Sequence, residues 1–80
     1  MRLDKYLKVS RLIKRRTLAN EACDAGKVLV NGKQARASYE VKIGDKIDLQ
    51  FAGKTKSFEV ISITETTHKE DASLMYRLIS

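Results

Sequence analysis

Ser10-Arg11-Leu12-Ile13-Lys14-Arg15-Arg16-Thr17-Leu18-Ala19-Asn20 is the stretch on which the reading of this 80-residue chain turns. Leu12 and Ile13 interrupt a run of cations, so they are expected to return to a core while Arg11, Lys14, Arg15 and Arg16 point outward. Thr17 is a favoured N-cap residue, and a helix from Thr17 or Leu18 to Ala25 is predicted behind it. Four fixed positive charges would then stand beside the unpaired N–H groups and the positive dipole end of that helix. Such a corner attracts anionic oxygens by charge and by hydrogen-bond geometry together.

On the N-terminal side, Arg2 to Val9 reads as a helix, with Leu3, Tyr6 and Leu7 at i, i+3, i+4 spacing forming one apolar stripe. Arg2, Lys5 and Lys8 fall largely on its other side. Asp4 is placed to pair with Lys8 four residues on, or to act as a helix-start acid favoured by the dipole. In the second helix, Leu18, Ala22 and Cys23 share a face, Ala19 and Ala22 permit close approach to the first helix, and Gly26 sits where a left-handed C-cap belongs.

Towards the C-terminus the apolar period shortens to two. Val28-Leu29-Val30 is a short strand, and Asn31-Gly32 signals a type I′ turn. Lys33 and Arg36 just past it either extend the basic surface or are ordinary loop charges. Val41 and Ile43 lead into a turn at Gly44-Asp45, and Lys46 to Phe51 alternates with Ile47, Leu49 and Phe51 on one face. Ala52-Gly53-Lys54 turns the chain into a strand over Ser57 to Ile63. There Phe58 and Val60 have opposite parity to Ile61 and Ile63 unless a bulge resets the register. Thr64 to Glu70 is polar and reads as a loop carrying an exposed His68. Ala72, Leu74, Met75, Leu78 and Ile79 predict a short C-terminal helix from Asp71 or Ser73, with a final strand through Tyr76-Arg77-Leu78-Ile79 as the competing reading.

Charge is distributed unevenly. Residues 1–36 hold ten Lys/Arg against three Asp/Glu, a net +7, whereas residues 37–80 hold six against seven, a net −1. A one-sided basic surface points to a polyanionic partner, nucleic acid first among them. No apolar run approaches the roughly 18 residues of a membrane span, and the charged N-terminus argues against a secretory signal. A single cysteine, Cys23, fits a core thiol and a reducing cytoplasm. No His/Cys/Asp/Glu cluster has ligand or triad spacing and no Gly-rich phosphate loop occurs, so neither catalysis, a metal nor a cofactor is expected. A DNA-binding helix-turn-helix is a weaker reading. The linker between the two helices is long, and it carries the charge that a recognition helix should hold.

Together, Arg2-Leu3-Asp4-Lys5, Arg16-Thr17 ahead of a helix with Ala19, Gly26-Lys27-Val28-Leu29-Val30-Asn31-Gly32-Lys33, and Val41 with Gly44-Asp45-Lys46-Ile47 resemble the S4 RNA-binding domain family. The match covers roughly residues 1–50, and the ordered set is more specific than any one piece. The resemblance implies an α+β fold, two packed N-terminal helices against a small bent antiparallel sheet, with RNA held on the helical side. It departs from the family at Arg15, where many members have Ser, and in lacking a Pro before Ser38-Tyr39, which leaves the loop from Gln34 to Val41 open. The S4 unit with its sheet extension is expected over residues 1–63, and a loop and short C-terminal element over 64–80 packed on the same domain.

Leu12 to Ala19 and Glu65 to Tyr76 are similar to the small stand-alone members of the family, the RqcP group of ribosome-associated quality control and the related heat-shock ribosome-binding proteins. The ending at Ser80, without the long basic extension of the heat-shock group, favours the former. Resemblance to that group implies binding to large ribosomal subunits blocked by peptidyl-tRNA, against a 23S rRNA hairpin and the P-site tRNA. It also implies work with an RqcH-type tailing factor while alanine is added to the stalled chain. The runner-up is a heat-shock protein that recycles free large subunits holding a nascent chain. The expected RNA-binding residues are Arg2, Lys5, Lys8, Arg11, Lys14, Arg15, Arg16 and Lys33, in a cytoplasmic monomer.

Overall fold

The computed structural model describes residues 1–64 and 75–79. Helix α1 spans Leu3–Val9 and α2 spans Arg16–Asp24. Strands β1 (Val28–Val30), β2 (Lys33–Gln34), β3 (Lys46–Phe51), β4 (Lys54–Val60) and β5 (Tyr76–Leu78) form one antiparallel sheet in the order β2-β1-β3-β4-β5. The fold is the expected α+β arrangement. The α1 stripe of Leu3, Tyr6 and Leu7 is fully buried with Ala19, Val28 and Ile47 in the core, because the 3.6-residue period of one layer faces the two-residue period of the other.

Each helix ends on a residue in the left-handed region. Gly26 (φ +73) closes α2, with its N–H on the Cys23 carbonyl (3.0 Å) and the Lys27 N–H on the Ala22 carbonyl (2.9 Å), the doubly bonded ending of a Schellman motif. Arg11 (φ +63) closes α1, its N–H bonding the Lys8 carbonyl at 3.0 Å, although glycine is the usual residue at such a position. Two-residue turns at Asn31-Gly32 and Ala52-Gly53 have positive φ at both residues, the type I′ geometry that matches strand twist.

Several expectations are corrected. Helix α2 begins at Arg16 with Arg15 as N-cap, so Thr17 lies inside the first turn and no side chain caps the helix. This start turns Ala19, Ala22 and Cys23 inward and leaves Leu18 46 % exposed, outside the buried face. Strand β4 stops at Val60. Phe58 and Val60 therefore face the core, and Ile61 lies beyond the strand and exposed. At the C-terminus, Tyr76–Leu78 pairs with β4 through Phe58↔Leu78, Glu59↔Arg77 and Val60↔Tyr76, so this segment is a strand and not a helix. Extension is favoured because Tyr76 meets Phe58 edge-on at 5.2 Å and the Tyr6 hydroxyl donates to the Met75 carbonyl at 2.7 Å. The loop at His68 and the helix start at Asp71 or Ser73 fall outside the described residues.

The segment from Gln34 to Val41, left open by the sequence, is tied down at both ends of its span. The Leu3 and Asp4 N–H groups donate to the Tyr39 and Ala37 carbonyls (2.8 and 3.2 Å), so this loop occupies the start of α1. Asp45, also buried, accepts from the Tyr39 hydroxyl (2.8 Å), the Lys42 N–H (2.9 Å) and the Asn31 amide (3.1 Å). Burial pushes the pKa of Asp45 up, but the Lys42 N–H and the Tyr39 and Asn31 donors outweigh it, holding its carboxyl below the ordinary 3.8.

Candidate nucleic-acid interface

Asp4 organises the basic corner. Its side chain is 3 % exposed, because its position one residue after Leu3 sets it at the border of the apolar stripe, facing α2. It does not pair with Lys8 as the four-residue spacing suggested. Instead it accepts from Arg2 Nε (3.2 Å) and Nη2 (3.4 Å), from the Asn20 amide (3.4 Å) and from the Lys5 N–H (2.8 Å), and forms an ion pair with Arg16 Nε (3.3 Å). Burial opposes its ionisation, but the Asn20 amide, the Arg16 guanidinium and the Lys5 N–H prevail, and its carboxyl lies below the ordinary 3.8.

The exposure of the partners is the opposite of Asp4's. The Arg2 and Arg16 side chains are 50 % and 49 % exposed. A buried anion therefore fixes one edge of each guanidinium while the rest of each planar fork remains open to solvent, where it can hold two anionic oxygens at once. Arg16 is also the first residue of an uncapped helix with no acid in its first turn. The orphan N–H groups and dipole of α2 thus add to its field.

The other predicted cations are distributed around this point. Lys14 and Arg15 are exposed immediately before α2, Lys8 is exposed in the last turn of α1, and Lys5 is half-buried beside Asp4. Arg2 borders a polar cleft of about 730 Å³ between the end of α2 and the 34–38 loop, which Arg36 also lines. Arg36 and Lys33 line the adjoining hollow with Tyr39, so Lys33 joins the Arg2 side through Arg36. Arg11 is separate. It lines a groove with Lys54 and Lys56 on the sheet, away from Arg2 and Arg16.

Sequence reasoning missed Asn20, Lys54 and Lys56. The lysines were signalled by parity, since both share the phase of Phe58 along β4. Asn20 had no local signal, because its role depends on the packing of α2 against α1. Cys23 is a buried thiol as expected, pushed up to about 11 by burial and then by the charges of Asp4 and Asp24. Among the described residues, no group of three or more His, Cys, Asp or Glu side chains is placed to hold a metal, and no helix is long and apolar enough to cross a membrane.

Known proteins resemble this chain in sequence and in fold. The model of the S4 domain family matches residues 1–47. The chain is 52 % identical over 79 residues, 99 % of its length and 92 % of the relative's, to the RQC P-site tRNA stabilizing factor of Bacillus subtilis. It is 30 % identical over 78 residues to a heat shock protein 15 homolog of Haemophilus influenzae, covering 96 % of this chain and 60 % of that protein. Its fold superposes on the trimeric structure of Vibrio cholerae heat shock protein 15 with a TM-score of 0.92 at 33 % identity, over 100 % of this chain and 82 % of that one.

Proposed function

Because this chain belongs to the S4 domain family, we propose that it is an RNA-binding protein of ribosome-associated quality control that steadies P-site tRNA on large ribosomal subunits. The observation that carries this reading is the single buried carboxylate of Asp4 presenting two half-exposed arginines, Arg2 and Arg16, at the head of α2. Binding and positioning are the proposed activity, with no catalytic step and no cofactor.

RNA helices are read mainly through shape, phosphates and 2′-hydroxyls, for which a rigid basic corner is suited. Arg2 and Arg16 supply directed bidentate contacts, Arg15 flanks them, Arg11 contributes from its separate position beside the sheet, and Lys5, Lys8, Lys14 and Lys33 add less directed attraction. On this reading residues 1–63 form the binding unit, with β5 paired onto the same domain, and the protein acts in the cytoplasm as a monomer. The ligands are a 23S rRNA hairpin and the P-site peptidyl-tRNA, and the protein works beside an RqcH-type factor that adds alanine to the blocked chain. The identity of 52 % to the tRNA-stabilizing relative against 30 % to the heat-shock one favours this role over subunit recycling.

Capture of the protein from stressed cells tests the proposal, which expects large subunits bearing peptidyl-tRNA together with the tailing factor. Recovery of free large subunits alone would assign the chain to the heat-shock role. In vitro, neutralising about five phosphates gives a slope of log affinity on log salt near about −4. Arg16→Ala should weaken binding by about 1–3 kcal/mol and flatten that slope by about one unit. An unchanged binding curve for that variant would remove the corner from the mechanism.

A further inference from the structure

The pairing register places Leu49, Phe51, Lys54, Lys56, Phe58 and Leu78 on one face of the sheet. Leu49 pairs with Lys56, Phe51 with Lys54 and Phe58 with Leu78, and directly paired residues point the same way. Near Phe58 this face is the buried core. Towards the β3–β4 turn it runs past the helical layer and Phe51 emerges 43 % exposed, while Leu78, opposite Phe58 on the edge strand β5, is 60 % exposed. Leu12, from the connection between the helices, borders the same space.

The result is a groove of about 680 Å³, within the ~300–1,000 Å³ typical of small-ligand sites. Its floor is apolar and stiffened by the edge-on contact of Phe58 with Tyr76 (5.2 Å, 87°). The charged residues lining it among the described residues are Arg11, Lys54 and Lys56, all exposed cations, with no carboxylate among the described lining residues. Arg11 adopts a left-handed backbone, rare for a side-chain-bearing residue, at a position where glycine would be unstrained. An apolar platform whose described rim charges are all cationic matches one chemistry above others, a flat ring attached to a phosphate.

We propose that this groove holds an unpaired nucleotide of RNA, its base stacked on Phe51 against Leu78 and its flanking phosphates met by Arg11, Lys54 and Lys56. The proposal rests on the RNA-binding reading above but concerns a second surface, which engages single-stranded RNA while the Asp4 corner engages a helix. Phe51 would read no sequence, because every base offers a ring face.

Nuclear magnetic resonance mapping on the unaltered chain, titrated with hexauridylate and separately with an RNA stem-loop, tests it. Ring-current shifts at Phe51, Tyr76 and Leu78 with hexauridylate are expected. Phe51→Ala should weaken the oligonucleotide about tenfold or more, Phe51→Tyr should restore it, and stem-loop binding should follow Arg16 instead. Shifts confined to the Arg2–Arg16 corner, or an unaffected Phe51→Ala variant, would overturn the groove while leaving the proposed function standing. Failure of both RNAs to bind would sink both. Shifts at Phe51 and Leu78 produced by a leucine-containing acidic peptide and not by hexauridylate would overturn the nucleotide in favour of a protein partner.

Discussion

Replacing Asp4 by Asn separates two accounts of the basic corner. If only net charge matters, the substitution should strengthen RNA binding, because it raises the chain from +6 by one unit and removes an anion close to the site. That gain is about 1 kcal/mol at 4 Å in water and less with salt. If positioning matters, the loss of the acceptor that holds Arg2 at 3.2 Å and Arg16 at 3.3 Å returns both guanidiniums to rotational freedom. Ordering them again on RNA costs about 0.5–1.5 kcal/mol each, so the two arginines together outweigh the electrostatic gain. We expect a net weakening of about 1 kcal/mol, roughly fivefold. Stability should fall by about 1–3 kcal/mol through the loss of charge-assisted hydrogen bonds, short of a wholly buried pair because the arginines can rehydrate. Fluorescence anisotropy against an rRNA stem-loop at about 0.15 M salt, paired with urea unfolding of the same samples, measures both quantities. A variant that folds and binds the RNA as tightly as the parent or more tightly refutes the positioning argument.

Three further outcomes follow from the same geometry. Asp4 and Asp45 both have carboxyls held below the ordinary 3.8, so the unfolded chain binds protons that the folded chain does not. Stability is therefore fully present above that value and is lost as pH falls through the lowered values; an acid titration of the melting temperature should show this limb, and Asp45→Asn should flatten it. Tyr6→Phe removes the 2.7 Å donor to the Met75 carbonyl and should cost about 0.5–1.5 kcal/mol in urea unfolding, the net worth of one hydrogen bond, because the Ile61 and Ser62 N–H groups still donate to that carbonyl. Arg11→Gly should raise stability by about 0.5–1 kcal/mol by relieving the left-handed strain while weakening RNA binding, whereas Ala52→Gly, at φ +52 in the β3–β4 turn, should give a similar gain with binding intact; melting curves and anisotropy on the two variants compare them.

The legible parts of this fold were those fixed by short-range chemistry. The i, i+3, i+4 stripe of α1, the glycine ending of α2, the Asn31-Gly32 turn and the alternation of Ile47 with Leu49 each depend on neighbours within one turn or one hairpin, and each is present in the structure. What failed to show was set by contacts between distant elements. Thr17 has the better intrinsic cap chemistry, yet α2 starts at Arg16, a register that buries Ala19 and brings Arg16 Nε to Asp4. Asp4 is the helix-start acid that its position in the first turn of α1 predicts, but its spacing to Lys8 pointed to the wrong partner, because spacing along one helix is visible in a sequence, whereas the approach of a second helix is not. Tyr76 to Leu78 gave an ambiguous pattern, and the choice of a strand depends on Phe58 and Tyr6, 18 and 70 residues earlier than Tyr76. For the candidate site, the identities of the cations were readable, but their division between the Asp4 corner and the Arg11 groove was a product of the tertiary fold.

Ala19 has no contact with solvent and immediately precedes Asn20, whose amide reaches Asp4. Its methyl group acts as a gauge that sets how near α2 lies to the carboxylate. Enlarging it by even two carbons would open a gap that the polar contacts of Arg16 and Asn20 with Asp4, at 3.3 and 3.4 Å, do not tolerate. An apolar side chain that never meets a ligand can in this way calibrate the grip of one, so damage to recognition and damage to packing would be recorded at the same position.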